Sequence, residues 1–241
     1  MKLIVKENYE EMSKKAADIV EEEIKRKPKA VLGLATGSTP VGMYNELIER
    51  CKDGKISFSE VVSFNLDEYV GLDEKDESSY RYFMNEKLFN HIDINRENVH
   101  IPDGKAENLD TYTRKYEREI DENGGIDLQV LGVGTNGHIA FIEPAGEFPI
   151  RTTVAELTEN TIKDNSRFFD SMEEVPKTAI SMGIGSILKA KKIMLLANGE
   201  NKREVIERFL NTDTVSTDFP VSFLALHSDV TVIVDKEAYG K

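Results

Sequence analysis

The chain has 241 residues, 39 % hydrophobic and 31 % charged, with a net charge of −13. That length and apolar content allow a sizeable buried core, and the acidic balance argues against a nucleic-acid binder, whose partner demands a basic surface. A single cysteine, Cys51, excludes an internal disulfide and suits a reducing compartment.

No stretch approaches the ~18 consecutive apolar residues of a membrane span. The opening MKLIVKENYEE lacks the apolar run of a secretory leader. A cytoplasmic protein with no membrane or nucleic-acid partner is expected. Leu3–Val5 reads as a first short strand. Asn8, with Glu11 three residues on, caps a helix running to about Lys25. Ala30–Ala35 is a second strand, and Thr39-Pro40 opens a helix to about Cys51. Val61–Asn65 is a third strand, followed by helical segments near Ser79–Asn90 and Leu109–Asp121. Leu128–Leu131, Ala179–Met182, Ile193–Ala197 and Val230–Val234 read as further strands, with helices near Ile187 and over Glu200–Leu210. Such alternation predicts an α/β fold: one Rossmann-like domain over residues 1–241, with a mostly parallel sheet covered by helices on both faces. Residues 146–177 are polar and poor in strand signals; they read as a lid or as ordinary surface helices.

Four stretches carry chemistry. Ala35-Thr36-Gly37-Ser38-Thr39-Pro40 joins a buried-type strand to a helix. Backbone N–H groups there favour an anion, and Ser38 and Thr39 add donors; a plain helix cap is the alternative. Asp67 and Glu68 sit just past the third strand, placed for general-base work or for capping. With no histidine beside them, a metal is not expected. Gly132-Val-Gly-Thr-Asn-Gly-His138 follows the fourth strand, and Glu143 lies five residues on. It spells G-x-G-x-x-G, yet Pro144 leaves no room for the helix a dinucleotide fingerprint must open. His138 with Glu143 reads instead as an acid–base pair, or as a structural histidine satisfied by a carboxylate. Arg167, and Lys202 at a helix start where the macrodipole disfavours a cation, are candidate anion contacts or solvated surface charges.

Taken together, Leu34–Pro40 (LATGSTP), Phe64–Leu72 (FNLDEYVGL), Gly132–Pro144 (GVGTNGHIAFIEP), Asn165–Asp170 (NSRFFD) and Gly199–Lys202 resemble the glucosamine-6-phosphate deaminase family, in the family's order and over nearly the whole chain. The resemblance implies a cofactor-free enzyme that converts glucosamine 6-phosphate and water to fructose 6-phosphate and ammonia. It implies His138 as proton carrier in ring opening, Asp67 as the base at C2, and Glu143 as the group that orients His138. Gly37, Ser38, Thr39, Arg167 and Lys202 would hold the phosphate. Asn136 stands where many members carry Asp; it can accept from the imidazole but brings no charge. Ile142 stands where the family usually has Asn, which would remove a polar group beside the site. Allosteric members carry basic residues where Thr153 and Ala155 stand, so activator-independent, hyperbolic kinetics are expected; the expected assembly is a monomer or small homo-oligomer. The related 6-phosphogluconolactonases, or a sugar-phosphate sensor without catalysis, are the alternative readings.

Overall fold

The computed structural model describes every residue except Arg167, Phe168, Asp170 and Lys241, with the backbone alone for Asn160 and Asp164. The chain begins with β1 (Lys2–Lys6), α1 (Tyr9–Arg26), β2 (Val31–Leu34), α2 (Val41–Lys52) and β3 (Val62–Asn65). Asn8 caps α1 by accepting from the Glu11 amide at 2.9 Å, and the helix stops before Pro28, whose ring disfavours helix in the residue before it. The face of α1 carrying Met12, Ala16, Val20 and Ile24 is buried, the spacing that aligns side chains on one side of a helix.

The middle of the chain adds β4 (Asp67–Tyr69), α3 (Tyr80–Lys87), β5 (Val99–His100), α4 (Leu109–Glu122) and β6 (Leu128–Leu131). Then come β7 (Thr153–Glu156), α5 (Glu159–Asn165), β8 (Thr178–Ser181), α6 (Ile184–Leu188), β9 (Ile193–Ala197), α7 (Arg203–Asn211), β10 (Val230–Asp235) and α8 (Lys236–Tyr239). Seven strands form one parallel sheet in the order β1-β10-β9-β6-β2-β3-β5. Helices cover both faces. Leu32, Leu128, Val130 and Met194 meet α1 and α2 on one side. Val31, Leu131, Leu195 and Val232 meet α4, α6 and α7 on the other. This two-sided cover explains why β2 and β9 are continuous apolar runs rather than alternating ones, and why β6 is apolar but for the buried Gln129.

Chain order reverses between β2 and β6. From β2 the chain steps outward to β3; from β6 it moves the other way, to β9. The crevice beyond the carboxyl ends of two such strands is where open α/β sheets bind ligands. The loops after β2 and β6 are the glycine-bearing stretches Ala35–Pro40 and Gly132–His138.

One expected strand lies elsewhere. The run Ala179–Met182 is not in the parallel sheet: β8 forms a separate three-stranded antiparallel sheet, order β4-β8-β7. Its partner β4 opens with two carboxylates and β7 lies in a polar stretch, residue types depleted from strands, so neither signalled itself. Residues 146–177 therefore contain a strand as well as α5. The expected helix over Ser79–Asn90 is shorter, ending at Lys87 before a 3-10 turn at Phe89–His91.

Candidate active site

A cavity of about 540 Å³ opens at the carboxyl ends of β2, β3 and β6. Its walls bring together Gly37, Ser38, Thr39, Asp67, His138 and Lys202, segments far apart in the chain. Asn136 and Glu143 stand behind His138. Arg167 lies outside the described residues.

At one end the loop after β2 turns through Gly37, whose φ of +94° favours glycine. The plain-cap alternative fails for this loop. The residue preceding α2 is Pro40, and no side chain caps the helix. The exposed Ser38 is tied down through its carbonyl, which accepts from the Tyr9 hydroxyl at 3.0 Å. Thr39 Oγ1 donates to Asn198 Oδ1 at 2.9 Å. Asn198, Asn201 and Lys202, from the loop after β9, complete this end. Lys202 ends a 3-10 turn and immediately precedes α7. The Gly199 amide donates to Asp235, which itself caps α8, so this loop is pinned to the end of β10. Hydroxyls, amides and a lysine around a helix start are groups that can hold an anion.

The other wall is acidic. Asp67 leads β4 away from the main sheet, paired across from Ser181. Its side chain is only 6 % exposed. Burial, then the charge of Glu68, push its pKa up to about 8. Glu68 is clasped instead: its carboxylate accepts from the backbone amides of Tyr69, Tyr80 and Arg81, each at 2.9 Å. Burial raises its pKa and those three amides oppose the rise. The adjacent carboxylates thus divide the work proposed for them, one facing the cavity and one fixing the start of α3. Tyr80 stacks on Phe141, rings 6.1 Å apart and nearly parallel, which forms an apolar wall next to Asp67.

His138 is placed by a turn that needs its glycines. A Cβ on Gly134 would lie 2.2 Å from the His138 ring, and one on Gly137 would lie 2.4 Å from the Phe219 ring. Ala140, two residues on, has φ +50°, a conformation non-glycine residues seldom adopt. Asn136 Nδ2 donates to Glu143 Oε2 at 2.8 Å, which fixes its amide orientation. Its Oδ1 then faces His138 Nδ1 at 2.8 Å, and Glu143 Oε1 lies 3.3 Å from the same nitrogen. Nδ1 faces two acceptors, so it carries the hydrogen, and Nε2 is the nitrogen that can take or give a proton. Thr161 donates its hydroxyl to Glu143 Oε1. A buried acid–base group that takes no hydrogen bond from the described residues, in one cavity with an imidazole of fixed tautomer, can move protons between neighbouring carbon and oxygen atoms of one small molecule.

Ile142 does not line the cavity. It is 2 % exposed, among apolar residues beneath the sheet. Sequence reasoning missed Tyr80, Thr161, Asn198 and Asn201. Asn198 directly follows the β9 run, so the strand-end rule that found Asp67 could have found it. Thr161 carries no such signal. Among the described residues no three His, Cys, Asp or Glu side chains are placed to hold a metal ion.

The chain matches the family model described as glucosamine-6-phosphate isomerases/6-phosphogluconolactonase over residues 5–233. It is 59 % identical to a glucosamine-6-phosphate deaminase of Thermoanaerobacter sp. (strain X514), covering 99 % of this chain and 94 % of that one. It is 52 % identical to one from Clostridium perfringens (strain ATCC 13124), covering 99 % and 98 %. Among solved structures, a monomeric glucosamine-6-phosphate deaminase superposes with a TM-score of 0.96 at 46 % identity, covering 100 % of this chain and 99 % of that one. A 6-phosphogluconolactonase from Thermotoga maritima shares the fold, with a TM-score of 0.72 at 23 % identity over 97 % and 98 % of the two chains.

Proposed function

The chain belongs to the family of glucosamine-6-phosphate isomerases and 6-phosphogluconolactonases, and from that premise we propose that its cavity converts glucosamine 6-phosphate and water to fructose 6-phosphate and ammonia. The observation that carries this reading is Asp67, a buried carboxyl group that lines the cavity, takes no hydrogen bond from the described residues, and has its pKa lifted to about 8. A base in that state suits removal of a proton from carbon.

The proposed roles are those the resemblance implies, and the arrangement of the cavity supports them. Gly37, Ser38, Thr39 and Lys202 bind the phosphate, joined by Asn198 and Asn201; Arg167 is assigned here from its motif alone. Anchoring the phosphate orients the sugar toward Asp67 and His138. His138 moves a proton to the ring oxygen and the pyranose opens. Asp67 takes the C2 proton, leaving an enolamine, and returns a proton to C1. The resulting imine at C2 adds water and expels ammonia. Glu143 and Asn136 hold the His138 tautomer throughout. No step requires a cofactor.

The acidic surface and single cysteine suit a cytosolic enzyme acting on a small phosphorylated sugar, with no nucleic acid or membrane as partner. It acts as a monomer, as does the solved deaminase it resembles. Residues Thr153 and Ala155 bring no charge to β7, which suits hyperbolic saturation without an activator.

The test compares two substrates on one preparation. Glucosamine 6-phosphate should release ammonia while 6-phosphogluconolactone hydrolyses no faster than in buffer. Rapid lactone hydrolysis without ammonia from the amino sugar would overturn the proposal in favour of the lactonase reading.

A further inference from the structure

Helix α5 touches two parts of the molecule at once. Asn165, its last residue, lines the cavity. Thr161, one turn earlier and so on the same helix face, is 5 % exposed and donates its hydroxyl to Glu143 Oε1. That is the oxygen 3.3 Å from His138 Nδ1. The other carboxylate oxygen is taken by Asn136 Nδ2 at 2.8 Å. Thr161 is itself fixed by the helix start. Thr158 Oγ1 accepts from the Thr161 amide at 3.2 Å and lies 3.0 Å from the Thr161 hydroxyl oxygen.

We propose that Thr161 is a positioning residue for the acid–base pair: its hydroxyl, delivered by α5, holds the Glu143 carboxylate against His138 Nδ1. The idea rests on His138 being the proton carrier. Thr161 makes and breaks no bond, and its own proton stays on its oxygen. Its effect is orientational. A glutamate has three side-chain torsions, and Asn136 alone anchors only one of its oxygens. With Thr161 removed, the carboxylate can rotate Oε1 away from the imidazole, so that Nδ1 loses its charged acceptor while the neutral Asn136 carbonyl stays in place. Asn136 belongs to the same turn as His138, whereas Thr161 comes from a separate element that also borders the cavity. A ligand that settles against Asn165 therefore steadies the element that holds Glu143.

Thr161→Val tests this cleanly. It removes the hydroxyl but keeps the β-branched shape and the backbone N–H that Thr158 caps. The prediction is a kcat lower by roughly ten- to a hundred-fold, the range of a charge-assisted hydrogen bond acting at the transition state. KM should stay within about threefold, since the phosphate contacts are untouched. Thr161→Ser, which retains the hydroxyl, should recover most of the rate. A Val variant with wild-type kcat, or a Ser variant as slow as Val, overturns the proposal. The NMR signal of the His138 imidazole gives a readout free of turnover: it should move in the Val variant and return in the Ser variant. A wild type that releases no ammonia, with the imidazole still responding to Thr161→Val, would overturn the deaminase reading while leaving this proposal standing. An imidazole indifferent to Thr161→Val would overturn the proposal whatever the activity.

Discussion

Replacing Asp67 with Asn should abolish turnover and stabilise the protein, with a gain that grows as pH rises. The Asp67 carboxylate is buried beside Glu68, and its pKa stands at about 8 against an ordinary value of 3.8. The folded chain therefore keeps this proton up to about pH 8, whereas the unfolded chain releases it near pH 4. A group whose folded pKa is raised gives stability that is full below its unfolded pKa and is lost as pH climbs to the folded one. The loss spans roughly four pH decades at about 1.4 kcal/mol each, a ceiling of roughly 6 kcal/mol. Asn cannot ionise and so escapes this loss, and its gain over wild type rises with pH toward, and not beyond, that ceiling. Urea unfolding at pH 5, 7 and 9 measures it. The Asn variant should differ least from wild type at pH 5 and most at pH 9. A gain independent of pH, or an Asn variant less stable than wild type at pH 9, would refute the reasoning about Asp67.

Three further outcomes follow from the same geometry. Glu68→Gln removes the charge that helps raise Asp67, so the acidic limb of kcat/KM should move to lower pH; an unmoved limb would show that burial acts alone. Asn136→Asp puts a carboxylate where Asn136 Oδ1 now lies 2.8 Å from His138 Nδ1, so the imidazole should titrate at higher pH by NMR, and an unchanged titration would contradict the bracket described for His138. Lys202→Ala should raise KM for a phosphorylated substrate by roughly ten- to a hundred-fold with little change in kcat, because it removes a charged contact present in both ground and transition states; an unchanged KM would remove Lys202 from the phosphate end.

The centre of the parallel sheet was legible because its strands there are buried on both faces. AVLGLA, LQVL and IMLLA leave few other structures open once turn residues bound them. The small antiparallel sheet was not legible. Asp67–Tyr69 is short and begins with two acids, and it becomes a strand because Thr178–Ser181 pairs with it from more than a hundred residues away. Val99–His100 is too short to show a period and is paired at the sheet edge by β3. At the site, Asp67, His138 and the loop after β2 were readable because each follows a strand end. Lys202 was readable as a cation misplaced at a helix start. The network behind His138 was only half visible. The pairing of Glu143 with His138 could be read from the turn, whereas Thr161 reaches Glu143 through the folding of a polar segment with no periodic signal. Ile142, singled out because the family usually has Asn there, is buried in the apolar cluster, a placement that its neighbours in the sequence did not signal.

The central claim is that Asp67 removes the C2 proton of an amino-sugar phosphate bound in this cavity. It is tested most directly by giving the purified protein glucosamine 6-phosphate and measuring ammonia and fructose 6-phosphate together, with Asp67→Asn alongside. The account predicts equal amounts of both products from the wild type and a rate at least ~10²-fold lower in the variant, the usual scale for loss of a general base. Ammonia and fructose 6-phosphate produced equally fast by the Asn variant would contradict it.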